Sequence, residues 1–529
     1  MVAMKLKMLL TALVVLTFSS GAEDKIVLTA RSRVESSEGS GKFVVVCKQL
    51  QWEPSQTAII VCDMWDQHWC KGASSRAAEL APRMNEVIIK ARDKGLFIIH
   101  APSGTVDYYK EHPARKRAGG APRAANVPAE IDKWCNWIGE KEQRAGYPID
   151  HSDGGCDCEP KCKEGSPWRK QIDAIEIRDE DAISDSGVEV WNLLEQRGIK
   201  NVIVMGVHTN MCVLGRPFGL RNMTRFGKSV VLMRDMTDTM YNSRKHPLVS
   251  HFTGTELVVE HIEKFVCPTI TSTLFTGKPQ FCFKDDKRPR VVFISAENEY
   301  KANETLPEFA HELQVRYGLC CEMLQGSTDG NDQLRDGIAG MEALANADVA
   351  VLFVRRRALP PQQMKYFRDY LDRGKPLVAL RTASHAFDAR GIAPEGYAEW
   401  PKFDPEVLGG NYNGHYGSGP KTTVTAASGA EGHPILTGVK LPFTSNGSLY
   451  RTSPLSNSAE QLLVGTIPGQ KPEPLAWTNT YKNSRIFYIS LGHPDDFKNQ
   501  QFHRLLINVV FWAVDKPGPK ERATNEAGL

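Results

Sequence analysis

The chain has 529 residues, 41% of them hydrophobic and 24% charged, with a formal net charge of +3. That length exceeds one ordinary domain, and the composition is that of a globular protein with sizeable cores. Near-neutrality gives no footing for nucleic acid or an anionic membrane, and the basic run RKRAGGAPR (115–123) lacks interleaved aromatics and reads as a solvated loop.

The N-terminus reads as a targeting segment. Lys5 and Lys7 precede an apolar run from Met8 to Phe18, and Ser20-Gly21-Ala22 offers small residues for cleavage. The run is too short to span a membrane, and no later segment is long enough. The expectation is a signal peptide over residues 1–22 and a soluble secreted or periplasmic protein.

Residues 23–50 read as a strand pair around the turn ESSEGSGK. Strand and helix then alternate. TAIIVC (57–62) is a strand, 76–94 has amphipathic helical spacing, and LFIIHA (96–101) is the next strand. DAIEI (173–177) reads as a third strand, GVEVWNLLEQRG (187–198) as a helix closed by Gly198, and NVIVMGV (201–207) as a fourth strand. SVVLMRD (229–235) and the helical pattern ELVVEHIEKFV (256–266) complete a first domain, 23–275. Its insertion, residues 102–172, is too long for an idle connection and reads as an ordered lid.

A polar, Pro/Gly-punctuated linker over 276–289 precedes a second series. It runs through RVVFISA (290–296), ADVAVLFV (347–354), a helix after Pro360-Pro361, PLVALRT (376–382), RIFYISLG (485–492) and the helix FHRLLINVVFWAV (502–514). A second domain over 290–517 and a loose tail over 518–529 follow. The fold class is α/β: two doubly wound domains with mostly parallel sheets covered on both faces.

Twelve cysteines acquire meaning in an oxidising compartment. Cys135, Cys156, Cys158 and Cys162 cluster in or near the insertion's loop-like stretch, where one or two disulfides are expected. A structural zinc is the rival, although C-x-C-x3-C lacks the paired C-x2-C spacing. Cys320 and Cys321 fall in a strand, facing opposite ways.

Two stretches carry chemistry. GVHTNMCV (206–213) puts Cys212 at a turn after an apolar strand, where unpaired N–H groups favour a thiolate and can hold an oxyanion. AIIVCDMWD (58–66) ends another strand with Asp63. A cysteine after a strand is commonly only a small core residue, but a carboxylate at the same sheet edge makes a nucleophile and proton acceptor. Trp65, Asp66, His68 and Trp69 beside Asp63, with His100 at the next strand end, are candidates to line a substrate pocket.

Over roughly residues 55–270 these motifs resemble the isochorismatase-like cysteine hydrolases, which include nicotinamidases. Gly206, Val207, Thr209, Asn210, Cys212 and Val213 match the family's second motif, and Asp63 and Met64 its first. The resemblance implies Cys212 as nucleophile, Asp63 as base, a cis peptide at Val207–His208, and an oxyanion hole from the backbone of His208 and Cys212. It also implies a lysine just after the third strand. Here that place holds Arg178-Asp179-Glu180-Asp181, so Arg178 is the nearest cation, with Lys170 or Lys163 as substitutes from the insertion. The metal-holding Asp-x-His segment of nicotinamidases is missing after His100, which argues against nicotinamide as substrate.

The second half resembles the ThuA-like family, whose fold is flavodoxin-like and akin to class I glutamine amidotransferases. The matching pieces are GKPLVALRTASHAF (374–387), GGNYNGHYG (409–417), GHPIL (432–436), LAWT (475–478) and IFYISLGHPDD (486–496). No cysteine occupies Arg381–His385, where amidotransferases keep their nucleophile. His385, His415 and His493 are candidates to converge on a metal or polyol.

The expected function is a secreted hydrolase cleaving a C–N bond of a small metabolite through a thioester. It needs no cofactor for that chemistry; a metal in the cysteine cluster or the second domain stays open, as does a homo-oligomer. The rivals are a catalytically inactive carbohydrate- or metabolite-binding protein and a metal or redox protein built on the clustered cysteines.

Overall fold

A computed structural model describes residues 25–326 and 337–519. The leader expected at 1–22 and most of the tail expected at 518–529 lie outside the described residues. Among those described, no helix is long and apolar enough to cross a membrane.

The first sheet contains β1 (Ile26–Glu35), β2 (Phe43–Trp52), β3 (Thr57–Cys62), β4 (Phe97–Ala101), β5 (Ala182–Ile183), β6 (Asn201–Val207), β7 (Ser229–Asp238) and β8 (Thr269–Ile270). Their order is β2-β1-β8-β7-β6-β3-β4-β5. From β8 to β5 every pairing is parallel; the β1–β2 hairpin is antiparallel and joins at β8. The central strands are apolar throughout because both faces are covered. Ala58, Ile60 and Cys62 of β3 enter one core with Trp191 and Val258, while Ile59 and Val61 enter the other with Leu80 and Met84 of the helix Lys71–Asp93.

The expected strand 173–177 is not formed. Its backbone turns, with Ile172 N–H donating to Met64 O and Ile175 N–H to Ile172 O. The sheet instead takes Ala182–Ile183, because Asp181 just before it is fixed between Arg92 and His100.

The second sheet contains β9 (Arg290–Ala296), β10 (Cys320–Gln325), β11 (Val349–Val354), β12 (Leu377–Leu380), β13 (Thr422–Ala426), β14 (Phe443–Ser445), β15 (Glu460–Thr466), β16 (Glu473–Tyr481) and β17 (Ser484–Ile489). In the order β10-β9-β11-β12-β17-β16-β15-β13-β14 it is parallel as far as β17 and antiparallel beyond, so it is a mixed sheet.

The units are fastened together. Val45 of β2 is buried in the core of the second sheet. Glu322 of β10 meets Arg31 and Arg234 of the first sheet at 3.4 and 3.1 Å. The linker lies along the first unit, its Phe281 N–H donating to Asp235 and its Lys284 N–H to Glu79.

Candidate active site

Parallel β3, β4 and β6 bring their carboxyl ends together, and Asp63 and the turn after β6 meet there. Gly206 permits the approach: its φ is +123°, and a Cβ on it would lie 2.0 Å from the Cys62 carbonyl oxygen. The Val207–His208 peptide is cis, and Thr209–Val213 forms a single π-helical turn carrying Cys212.

Asp63 is fully buried. Its Oδ1 accepts the Ser103 N–H at 2.8 Å, and its Oδ2 lies 3.2 Å from Arg216 Nε. Cys212, 9% exposed, sits close enough to Asp63 and Arg216 that both charges act on its thiol. Burial pushes the Cys212 thiol far above its ordinary range, and the Asp63 charge adds to this while Arg216 pulls it back. Burial also raises Asp63, against the Arg216 charge and the hydrogen bond from the Ser103 N–H. The resting Cys212 thiol therefore keeps its proton, and the Asp63 carboxyl is held by the guanidinium and the amide. Thiol, carboxylate and cation form one contiguous set that can pass a proton from sulfur to carboxylate.

The cation is Arg216, not Arg178. Arg178 lies at the surface, paired with Glu176 and Glu180. Of the substitutes, Lys170 is engaged by Asp173. Arg216 follows Cys212 by four residues, one turn onward, and that spacing was the available signal.

The candidate pocket residues separate. Trp65 is buried, donates its indole N–H to Ser103 O at 3.0 Å, and stacks on Trp168 at 4.5 Å. His68 stacks on Trp168 and meets His208 edge-on at 4.8 Å. Burial lowers His68 to about 4 and His208 to about 3, so both imidazoles are neutral at pH 7. His208 Nε2 is buried without a hydrogen-bond partner. Asp66 and His100 serve the frame instead. Asp66 accepts the Arg169 N–H and guanidinium and so anchors the end of the insertion. His100 has no exposed surface and is held between Gln171 and Asp181 at 3.0 and 3.2 Å.

The insertion is an ordered cover. Its Trp134 ring packs on Gly215, where a Cβ would come within 2.3 Å, and lies 5.7 Å from the Arg216 guanidinium. Tyr147 donates to Asn210 O, and buried Glu142 holds Arg221 and His261. The expected disulfides are not formed: all twelve cysteines are free thiols, and Cys135 stands apart, its Sγ directed at Trp137 O. Cys156, Cys158 and Cys162 gather instead around Cys70, which sequence reasoning left out.

In the second unit, His385 is buried, its Nδ1 3.1 Å from Ser384 Oγ and its ring stacked on Tyr412 at 4.6 Å. It borders a cavity of about 350 Å³ with Arg356, Arg390, Asp404 and Tyr412. The three expected histidines do not form a metal-binding group, although His385 and His415 both lie 6.3 Å from the Tyr450 ring. His415 is exposed and bonded to Tyr416 O, and His493 pairs with Asp495. Among the described residues, the only group disposed to hold a metal is the four-cysteine cluster.

The ThuA family, described as trehalose utilisation, matches residues 324–513. The second unit is a ThuA domain. No curated protein matches the chain. Similar solved structures include a ThuA-like protein from Parabacteroides merdae, 17% identical over 44% of this chain and 93% of its own, with a TM-score of 0.33. A cysteine hydrolase from Pseudomonas syringae pv. phaseolicola is 18% identical over 42% and 92%, TM-score 0.26. An isochorismatase family protein from Desulfovibrio vulgaris subsp. vulgaris is 16% identical over 41% and 95%, TM-score 0.24.

Proposed function

We propose that the chain is an exported cysteine hydrolase that cleaves a C–N bond of a small amide-like metabolite, with the ThuA domain as an accessory, sugar-handling module. The observation that carries this reading is the Cys212 thiol set beside the Asp63–Arg216 ion pair at the carboxyl ends of β3 and β6. Cys212 Sγ attacks the carbonyl carbon as its proton moves to Asp63, and the oxyanion is received by the backbone N–H groups of His208 and Cys212. The C–N bond breaks as Asp63 returns the proton to the leaving nitrogen. Water, deprotonated by Asp63, then opens the thioester and the sulfur is reprotonated. Arg216 stays charged throughout, since guanidinium does not give up a proton. Trp65, His68 and Trp168 supply an aromatic wall for a flat, uncharged substrate.

The test is ammonia or amine release from a panel of small amides, comparing the intact protein with Cys212→Ala. Turnover that falls at least about a hundredfold in the variant supports the reading. No turnover, together with a Cys212 that iodoacetamide does not label, favours the inactive binding protein. Export is read from the mature N-terminus, expected near Glu23.

A further inference from the structure

Cys70 is the N-cap of the helix Lys71–Asp93, and Cys156, Cys158 and Cys162 come from the insertion. The four sulfurs lie within 4.8 Å of one another. Cys70 Sγ and Cys158 Sγ are 3.7 Å apart. A disulfide would need about 2.05 Å. Two sulfurs on one tetrahedral ion, each bonded at about 2.3 Å, stand roughly 3.8 Å apart, the edge of that tetrahedron.

Backbone donors at the start of the helix reach two of the sulfurs. Backbone N–H groups of Lys71 and Gly72 donate to Cys162 and Cys158 at 3.5 and 3.3 Å. Both donors are the first N–H groups of a 23-residue helix, where the macrodipole favours negative charge. Arg76, one turn along, interacts electrostatically with Cys70. Ala73, Met240, Trp69 and Met211 pack around the sulfurs and restrict water.

We propose that Cys70, Cys156, Cys158 and Cys162 bind one Zn²⁺ as a closed tetrathiolate site that fastens the insertion to the start of this helix. Four protein sulfurs complete the coordination and leave no position for substrate, so the ion is structural. Binding exchanges four thiol protons for the ion, leaving a net charge of −2 that the helix N-terminus and Arg76 offset. The ion pins residues 156–162 beside the segment that carries His68 and Trp69. The proposal stands independently of any chemistry at Cys212.

The experiment is elemental analysis of the full chain purified without added metal, alongside Cys158→Ser and Cys135→Ser. About one zinc per chain is expected in the intact protein and in Cys135→Ser, falling below about 0.1 in Cys158→Ser. Because Cys158→Ser can fail to fold, the unmutated chain is also titrated with a mercurial while released zinc is followed with a chromogenic chelator; release in step with thiol modification is expected. Cobalt exchanged into the intact chain should give the intense visible absorption of a tetrahedral thiolate site. A chain without zinc whose four thiols titrate freely overturns the proposal. So does an unreduced mass lower by four hydrogens, which reports two disulfides, or one equivalent of iron in place of zinc.

Discussion

Arg216 Nε stands 3.2 Å from Asp63 Oδ2, one turn beyond Cys212 on the same segment. The strand-end carboxylate and the Cys212 thiol thus share a cation from just beyond the turn that carries the thiol rather than from a neighbouring strand. Arg216 also keeps the negative charge of Asp63 from falling unopposed on the thiol.

Removing that cation raises the cost of the thiolate, so the pH profile of Cys212 alkylation by iodoacetamide in Arg216→Gln is expected to shift to higher pH. At fixed neutral pH, labelling should slow by about tenfold or more. Arg178→Ala, which alters only a surface pairing, should leave the profile in place. An unmoved profile in Arg216→Gln would remove the arginine from the reacting set.

Gly206 tests whether the close approach of β6 to β3 builds the site. A methyl group there meets Cys62 carbonyl oxygen at 2.0 Å in a backbone conformation that L-residues avoid. Gly206→Ala is expected to cost about 3 kcal/mol or more in denaturant unfolding. Gly227 also has positive φ, but a Cβ there meets nothing within 4 Å. Gly227→Ala should therefore cost only about 1 kcal/mol, and equal losses at the two positions would deny the packing argument.

Much of this was legible in the chain itself. Buried parallel strands are continuous apolar runs, so Thr57–Cys62, Asn201–Val207 and Arg290–Ala296 could be read almost to the residue. Asp63 and Cys212 follow from their places after two such runs. Residues 173–177 misled because alternating apolar residues also suit a turn that buries only Ile175, and nothing local reports that Asp181 is claimed by Arg92. His100 and Asp66 carried the right chemistry at the right edge, yet partners distant in sequence consume both. The cysteine cluster was obscured because its fourth member, Cys70, is 86 residues from Cys156, and only folding brings it there.

The aromatic wall makes the first domain acid-sensitive. His68 and His208 are held neutral, at about 4 and about 3, whereas the unfolded chain takes up their protons near pH 6.5. The unfolded state therefore binds more protons below pH 6.5, and stability falls as pH drops from there toward 4. The denaturant midpoint is expected to decline over that interval, and His68→Phe should lessen the decline while retaining stacking on Trp168. A decline of the same size in His68→Phe would assign the sensitivity elsewhere.

Asp404 of the ThuA domain gives the opposite sign. Burial raises its carboxyl to about 7 even though Tyr412 donates an N–H to Oδ2, and Oδ1 has no hydrogen-bond partner. The folded state then holds a proton that the unfolded state loses near pH 4, so this group's contribution declines as pH rises from about 4 to 7. Asp404→Asn removes the ionisation but keeps the shape. Its gain over the unmutated chain should be largest at pH 8, by roughly a few kcal/mol, and small at pH 5. The measurement is the difference in unfolding free energy at the two pH values. A difference that does not change with pH would show that Asp404 ionises normally, and its place on the cavity with His385 and Arg356 would then present a permanent anion rather than a neutral acid able to donate to a polyol.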